Sequence, residues 1–129
     1  MIFVDTSVWI DHLRAGSATL ARLLERGTVL GHPWVLGELA LGHLGHRGEV
    51  IGLLAGLPQA TVATPAEVLT LIERHELHGE GIGYVDAQLL AATKLTPDAT
   101  LWTTDRRLAA VTSHLGSAFD PETSGEYRR

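Results

Sequence analysis

Short, unbroken apolar runs alternate along this chain with longer stretches in which apolar residues recur every third or fourth position. Ile2, Phe3 and Val4 form the first run, as expected of a strand buried on both faces. A short helical piece or turn is expected over residues 8–14. Ser17 can cap a helix reaching about Arg26, with Leu20, Leu23 and Leu24 on one face and Gly27 at its end. Residues 28–31 read as a second short strand. Pro33 opens another helix, where its fixed φ is tolerated, with Leu36, Leu39 and Ala40 on one side. Gly42, Gly45 and Gly48 loosen the chain before a short helix over about 49–55.

Pro58 ends that helix, and residues 60–63 read as a third strand. Thr64-Pro65-Ala66-Glu67 combines a cap, a proline at the first helical position and a glutamate three residues after the cap. The helix it starts places Val68, Leu69 and Ile72 on its apolar face and is expected to stop near His78. A glycine-rich loop, residues 79–83, leads to a helix over 84–95. Residues 100–103 read as a fourth strand, and Asp105 begins a helix carrying Leu108, Val111 and Leu115. Gly116 ends it, and Ala118-Phe119 can add an edge strand. Strands thus alternate with helices long enough for crossovers. This predicts an α/β fold, a three-layer α/β/α sandwich around a central parallel sheet. One domain is expected over residues 1–119, with a polar, mobile tail over 120–129.

Composition narrows the function. A chain of 129 residues suits one domain that buries roughly two-thirds of its unfolded surface. No apolar run approaches the roughly 18 residues that span a bilayer. The N-terminus carries no basic leader, so a cytoplasmic protein is expected. Cysteine is absent, which removes disulfides and thiolate metal sites. A net charge of −5 argues against a protein that coats nucleic acid with basic charge.

Four acidic residues stand out against this pattern. Asp5 ends the first strand, with Thr6 and Ser7 offering hydroxyls just beyond it. Glu38 interrupts an apolar helix, and Asp86 and Asp105 fall at helix starts. Each has an ordinary explanation alone: a helix cap for the aspartates, a solvated face for Glu38. Together they suggest more. Asp5 and Asp105 both follow buried strands, so a parallel sheet brings them to its carboxyl edge, where ligands bind. Two carboxylates about 4 Å apart repel by on the order of 4 kcal/mol at an effective dielectric near 20. A cluster of them needs a cation or a shared proton, and oxygen donors select hard ions such as Mg²⁺ or Mn²⁺.

The motifs around these residues resemble those of the PIN-domain ribonucleases, specifically the VapC toxins of bacterial toxin–antitoxin pairs. Val4-Asp5-Thr6-Ser7-Val8-Trp9-Ile10 looks like their first motif, and His32-Pro33-Trp34-Val35-Leu36-Gly37-Glu38-Leu39 like their second. Gly83-Tyr84-Val85-Asp86-Ala87-Gln88-Leu89-Leu90 is similar to the third, and Leu101-Trp102-Thr103-Thr104-Asp105-Arg106-Arg107-Leu108 to the fourth. All four stand in family order and span the chain to about Leu115. The resemblance implies a PIN fold and an Mg²⁺-dependent endoribonuclease, with Mn²⁺ able to substitute. It makes Asp5, Glu38, Asp86 and Asp105 the catalytic set and Asp5, Asp86 and Asp105 the metal contacts, with Ser7 and Thr103 supporting them. It also implies a homodimer, a VapB-like antitoxin and an RNA substrate, in some relatives a tRNA. Thr104 departs from the basic residue that such proteins often carry there. Arg14, Lys94, Arg106 and Arg107 are candidates for contacts to the RNA backbone.

Other readings stay open at this point. A PIN-like module could bind a partner without cutting anything. A phosphatase of the haloacid dehalogenase type also starts from a strand-end aspartate, but it needs a second aspartate where Ser7 stands. The pairs His43/His46 and His75/His78, each three apart on an expected helix, could grip zinc only with a third ligand. The loop over 79–83 lacks the lysine and hydroxyl residue of a P-loop, and Glu80 reads as an exposed loop acid.

Overall fold

The computed structural model describes residues 1–122. Residues 123–129, most of the tail expected to be mobile, lie outside the described residues. Three strands, β1 (Ile2–Val4), β2 (Val29–Leu30) and β3 (Thr100–Trp102), form a parallel sheet in the order β2-β1-β3. The register pairs Ile2 with both Val29 and Thr100, and Val4 with Trp102. β1 is therefore the central strand, which explains its unbroken apolar run: Phe3 is fully buried and Val4 nearly so.

Seven helices are described: α1 (Thr6–Ala15), α2 (Ala18–Glu25), α3 (Pro33–Ala40), α4 (Arg47–Ala55), α5 (Pro65–Arg74), α6 (Tyr84–Leu95) and α7 (Arg106–His114). With the sheet they make the expected α/β/α sandwich. α3 packs against α1, α4 and α6, while α6 also packs on β3 and α5. The chain leaves β1 for a neighbour on one side and later returns to the other side. That reversal is the topological switch point at which open α/β sheets bind ligands. The ends of β1 and β3 are tied there by the Asp5 N–H donating to the Trp102 carbonyl at 2.9 Å.

Several expected elements are corrected. Residues 60–63 form no strand. Gly31 and Gln59 make one isolated parallel bridge, with Gly31 N–H donating to Pro58 O at 2.7 Å and Ala60 N–H to Gly31 O at 2.9 Å. β2 is only two residues long, and His32 is already the N-cap of α3, so no further strand backbone is available for residues 61–63 to pair with. The expected edge strand at 118–119 shrinks likewise to a single bridge between Leu101 and Ala118. α1 begins at Thr6 rather than near residue 8. α5 ends at Arg74, not near His78, and Glu76 follows with φ +52°. On α5, Val68 is buried with Leu71 and Ile72 packed beside it, whereas Leu69 is exposed. Neither histidine pair lies on one helix: His43 and His46 sit between α3 and α4, and His75 is the C-cap of α5.

Among the described residues no helix is long and apolar enough to cross a membrane.

Candidate active site

Asp5 takes the N-cap position of α1, yet its side chain makes no cap hydrogen bond. Its Oδ2 instead accepts from Ser7 Oγ at 2.7 Å and from Thr103 Oγ1 at 2.8 Å. Both hydroxyls are fixed from behind. Ser7 Oγ accepts from the Thr104 N–H at 3.2 Å, and Thr103 Oγ1 from the Asp105 N–H at 3.0 Å. Each hydroxyl has one proton, and each spends it on Asp5. The 3.4 Å separation between the two hydroxyls is therefore proximity, not a third bond. With only 5% of its surface exposed, Asp5 is a buried carboxylate held by two donors from opposite ends of the sequence.

The cap reading does hold for the other two aspartates, with half of each carboxylate. Asp105 is the N-cap of α7, its Oδ1 accepting from the Leu108 N–H at 3.0 Å. Asp86 reaches back from the first turn of α6 so that its Oδ2 accepts from the Gly83 N–H at 2.9 Å. Glycine has no side chain to return that bond, so only half of a capping box exists. Glu38, on α3, accepts through Oε1 from Thr6 Oγ1 at 2.6 Å, which ties α3 to the first turn of α1.

Electrostatics joins these groups into one site. The Asp86 pKa is raised, first by burial and then by the negative charges of Asp5, Asp105 and Glu38, against a lowering by the Gly83 hydrogen bond. Among the described residues, no positive side chain enters that balance. The sign of the pH dependence follows. Between the unfolded aspartate pKa and the raised folded value, the native state binds more protons than the unfolded one, so Asp86 lowers stability as pH rises through that window. In the metal-free protein, Asp86→Asn is expected to raise the melting temperature at neutral pH, with the gain shrinking as pH falls toward the raised pKa. Melting curves in EDTA across pH check this.

Among the described residues, no three histidine or acidic side chains stand close enough together to hold a metal ion as they are placed. The donor set nonetheless fits a hard dication. Asp5 Oδ2, Asp86 Oδ2 and Asp105 Oδ1 are each committed to a fixed donor, which leaves the other oxygen of each of these three without a hydrogen bond among the described residues. An ion that keeps several waters needs only one or two carboxylates directly, rather than a closed protein cage. Mutation separates the cap that Asp105 provides from its charge. Asp105→Asn keeps a good cap and loses the charge, whereas Asp105→Ala loses both. Chemical denaturation should show Asp105→Ala about 1 kcal/mol less stable than Asp105→Asn.

Some residues that shape the site escaped the sequence. Thr6 was visible as a hydroxyl after the strand, but its bond to Glu38 depends on how α3 meets α1. His32 caps α3, Nδ1 accepting from the Trp34 N–H at 3.1 Å, and burial lowers its pKa so that it stays neutral. Its Nε2 is buried without a partner among the described residues. Among the basic candidates, Lys94 is occupied elsewhere, donating to Leu115 O at 2.7 Å at the end of α7. Arg107 lies across Gly81, where φ is +78° and a Cβ would come within 2.7 Å of Arg107 Cδ. Arg106 and Arg107 line a cavity of about 590 Å³ beside α7, and Arg14 lines another of about 640 Å³ shared with Glu38.

Comparison with known proteins agrees with this geometry. The family model for the PIN domain matches residues 2–113. Ribonuclease VapC32 of Mycobacterium tuberculosis strain CDC 1551 / Oshkosh is 49% identical over 124 residues, covering 96% of this chain and 100% of that protein. The protein of the same name from strain ATCC 25618 / H37Rv matches to the same extent. The chain belongs to the PIN-domain family, within its VapC branch.

Proposed function

We propose that this protein is the toxin of a toxin–antitoxin pair and an endoribonuclease that hydrolyses RNA phosphodiesters with Mg²⁺, or Mn²⁺ in its place. The observation that carries the reading is that the negative charges of Asp5, Asp105 and Glu38 all bear on the half-buried Asp86. Two relatives nearly half identical along their whole length are named ribonucleases.

Asp5, Asp86 and Asp105 would hold the ion through the oxygens their hydrogen bonds leave open. The chemistry it supplies when bound is a lower pKa for water and relief of negative charge on the phosphoryl group. The remaining tasks fall to the chain. Ser7 and Thr103 keep Asp5 in one rotamer, and Thr6 does the same for Glu38. Glu38 Oε2 has no hydrogen bond among the described residues, so it can accept a proton from the attacking water. A serine nucleophile is disfavoured, because the Ser7 proton is committed to a carboxylate that no histidine relays. The same geometry weighs against the phosphatase reading, since the residue two after Asp5 is a hydroxyl that supports it rather than a second acid.

A VapB-like antitoxin as partner and a homodimer as the working form belong to this proposal, as does a structured RNA such as tRNA as substrate. Incubating the purified protein with total bacterial RNA tests its core. Discrete cleavage with Mg²⁺ that stops in EDTA is expected. Intact RNA with both Mg²⁺ and Mn²⁺ would support the silent binding module instead.

A further inference from the structure

Two exposed aromatic rings stand beside the acidic cluster, and nothing in the catalytic reading uses them. Trp34 is 40% exposed and Tyr84 47% exposed, although both are residue types that usually bury most of their surface. Their rings meet edge to face, with centroids 5.8 Å apart and planes at 70°. One of them is tied to a cluster residue by its place on a helix. Trp34 lies four residues before Glu38 on α3, hence on the same helix face, and Tyr84, on a different face of α6 from Asp86, reaches that face of α3 through its contact with Trp34. Gln88 donates through Nε2 to the Tyr84 hydroxyl at 3.2 Å and so fixes the phenol from its buried side. A groove of about 590 Å³ lies alongside, lined by Pro33, Trp34, Gly37, Glu38, Leu41 and Val85, and Glu38 belongs to both groove and cluster.

We infer that Trp34 and Tyr84 form a platform on which one unpaired nucleobase of the RNA stacks, positioning the adjacent phosphate at the acidic cluster. The inference rests on the nuclease reading and deepens it. A chain of net charge −5 has little positive charge with which to hold RNA by its backbone, and the cluster repels phosphates until a cation is present. Affinity must then come largely from the bases. Stacking on an aromatic face supplies it without charge and without reading sequence. The edge-to-face pair offers a base one ring to lie on and another to abut, and Trp34 lines the same groove as Glu38.

The fluorescence of the protein reports on this directly. It has three tryptophans, and Trp9 and Trp102 are only 2% and 8% exposed, so Trp34 dominates any response to ligand. The probe is a single-stranded decaadenylate, compared with an oligomer of the same length made of abasic ribose phosphates, both with Mg²⁺ and read within milliseconds of mixing. The base-bearing oligomer is expected to quench the emission and the abasic one to leave it unchanged. Using an RNA that the protein cuts, Trp34→Leu and Tyr84→Leu are each expected to raise KM about tenfold with kcat within about twofold of the parent. Tyr84→Phe, which keeps the ring, should restore KM. Equal quenching by the two oligomers would overturn the inference. So would unchanged KM in both leucine variants, including the case in which they instead lose a dimer on gel filtration or lose binding of an antitoxin. Base-dependent quenching by a protein that cuts no RNA would leave the platform standing and sink the nuclease reading, so the two failures are distinct.

Discussion

Asp5→Asn is expected to reduce RNA cleavage by at least about a thousandfold while leaving the protein folded, the scale of loss seen when a preorganised electrostatic contact to the reaction is removed. Asparagine has nearly the same shape, and its amide oxygen can still accept from Ser7 Oγ and Thr103 Oγ1. The amide nitrogen must then take the place of the oxygen left for the cation, which presents a donor to a positive ion. Stability should move the other way. Asp5 is one of the charges that raise the Asp86 pKa, and removing it relieves repulsion in the metal-free protein. The measurement is a cleavage time course beside a melting curve in EDTA. Lost cleavage with an unchanged or higher melting temperature is the expected pair.

The largest effect on stability is expected from Phe3→Ala. Phe3 is completely buried on the central strand, where its backbone is in register with Leu30 and Leu101, and its ring meets His32 edge to face at 6.5 Å. Truncating a buried phenylalanine costs about 3–5 kcal/mol. A domain of this kind has only about 5–15 kcal/mol in all. A bound metal would not make up the difference, since a ligand at a hundred times its Kd contributes about 2.7 kcal/mol. Urea unfolding should show a much lower midpoint with an unchanged slope, and Mg²⁺ should recover only part of the loss.

What the sequence disclosed and what it hid differ in physical kind. Ile2-Phe3-Val4 was legible because a strand buried on both faces has to be apolar at every position, and the parallel sheet makes it central. The start of α5 was legible because its capping box is local: Thr64 Oγ1 accepts from Glu67 N–H at 3.1 Å, and Glu67 Oε1 from Thr64 N–H at 2.8 Å. Residues 60–63 misled because β-propensity says nothing about whether an edge has backbone left to pair with. Leu69 misled because an apolar residue one position off the Val68–Ile72 stripe is still apolar.

The site divides in the same way. Ser7 and Thr103 were found through their motifs, and the structure places both hydroxyls on one oxygen of Asp5. The Thr6–Glu38 bond was hidden because it spans 32 residues and depends on the packing of α3 against α1. Capping was a correct reading of Asp86 and Asp105, and it leaves a metal role open, because a carboxylate can cap with one oxygen and offer the other. For Asp5 it was wrong: the buried carboxylate turns away from the helix N–H groups and toward hydroxyls.

The central claim is that these carboxylates together bind a divalent cation. The most direct measurement is Mn²⁺ titration followed by electron paramagnetic resonance, which counts free ion and needs no knowledge of the RNA. The wild-type protein is expected to bind Mn²⁺, with affinity falling at least about tenfold, or 1.4 kcal/mol, in each of Asp5→Asn and Asp86→Asn, and with Mg²⁺ competing. Equal Mn²⁺ binding by the wild type and both folded variants would contradict it.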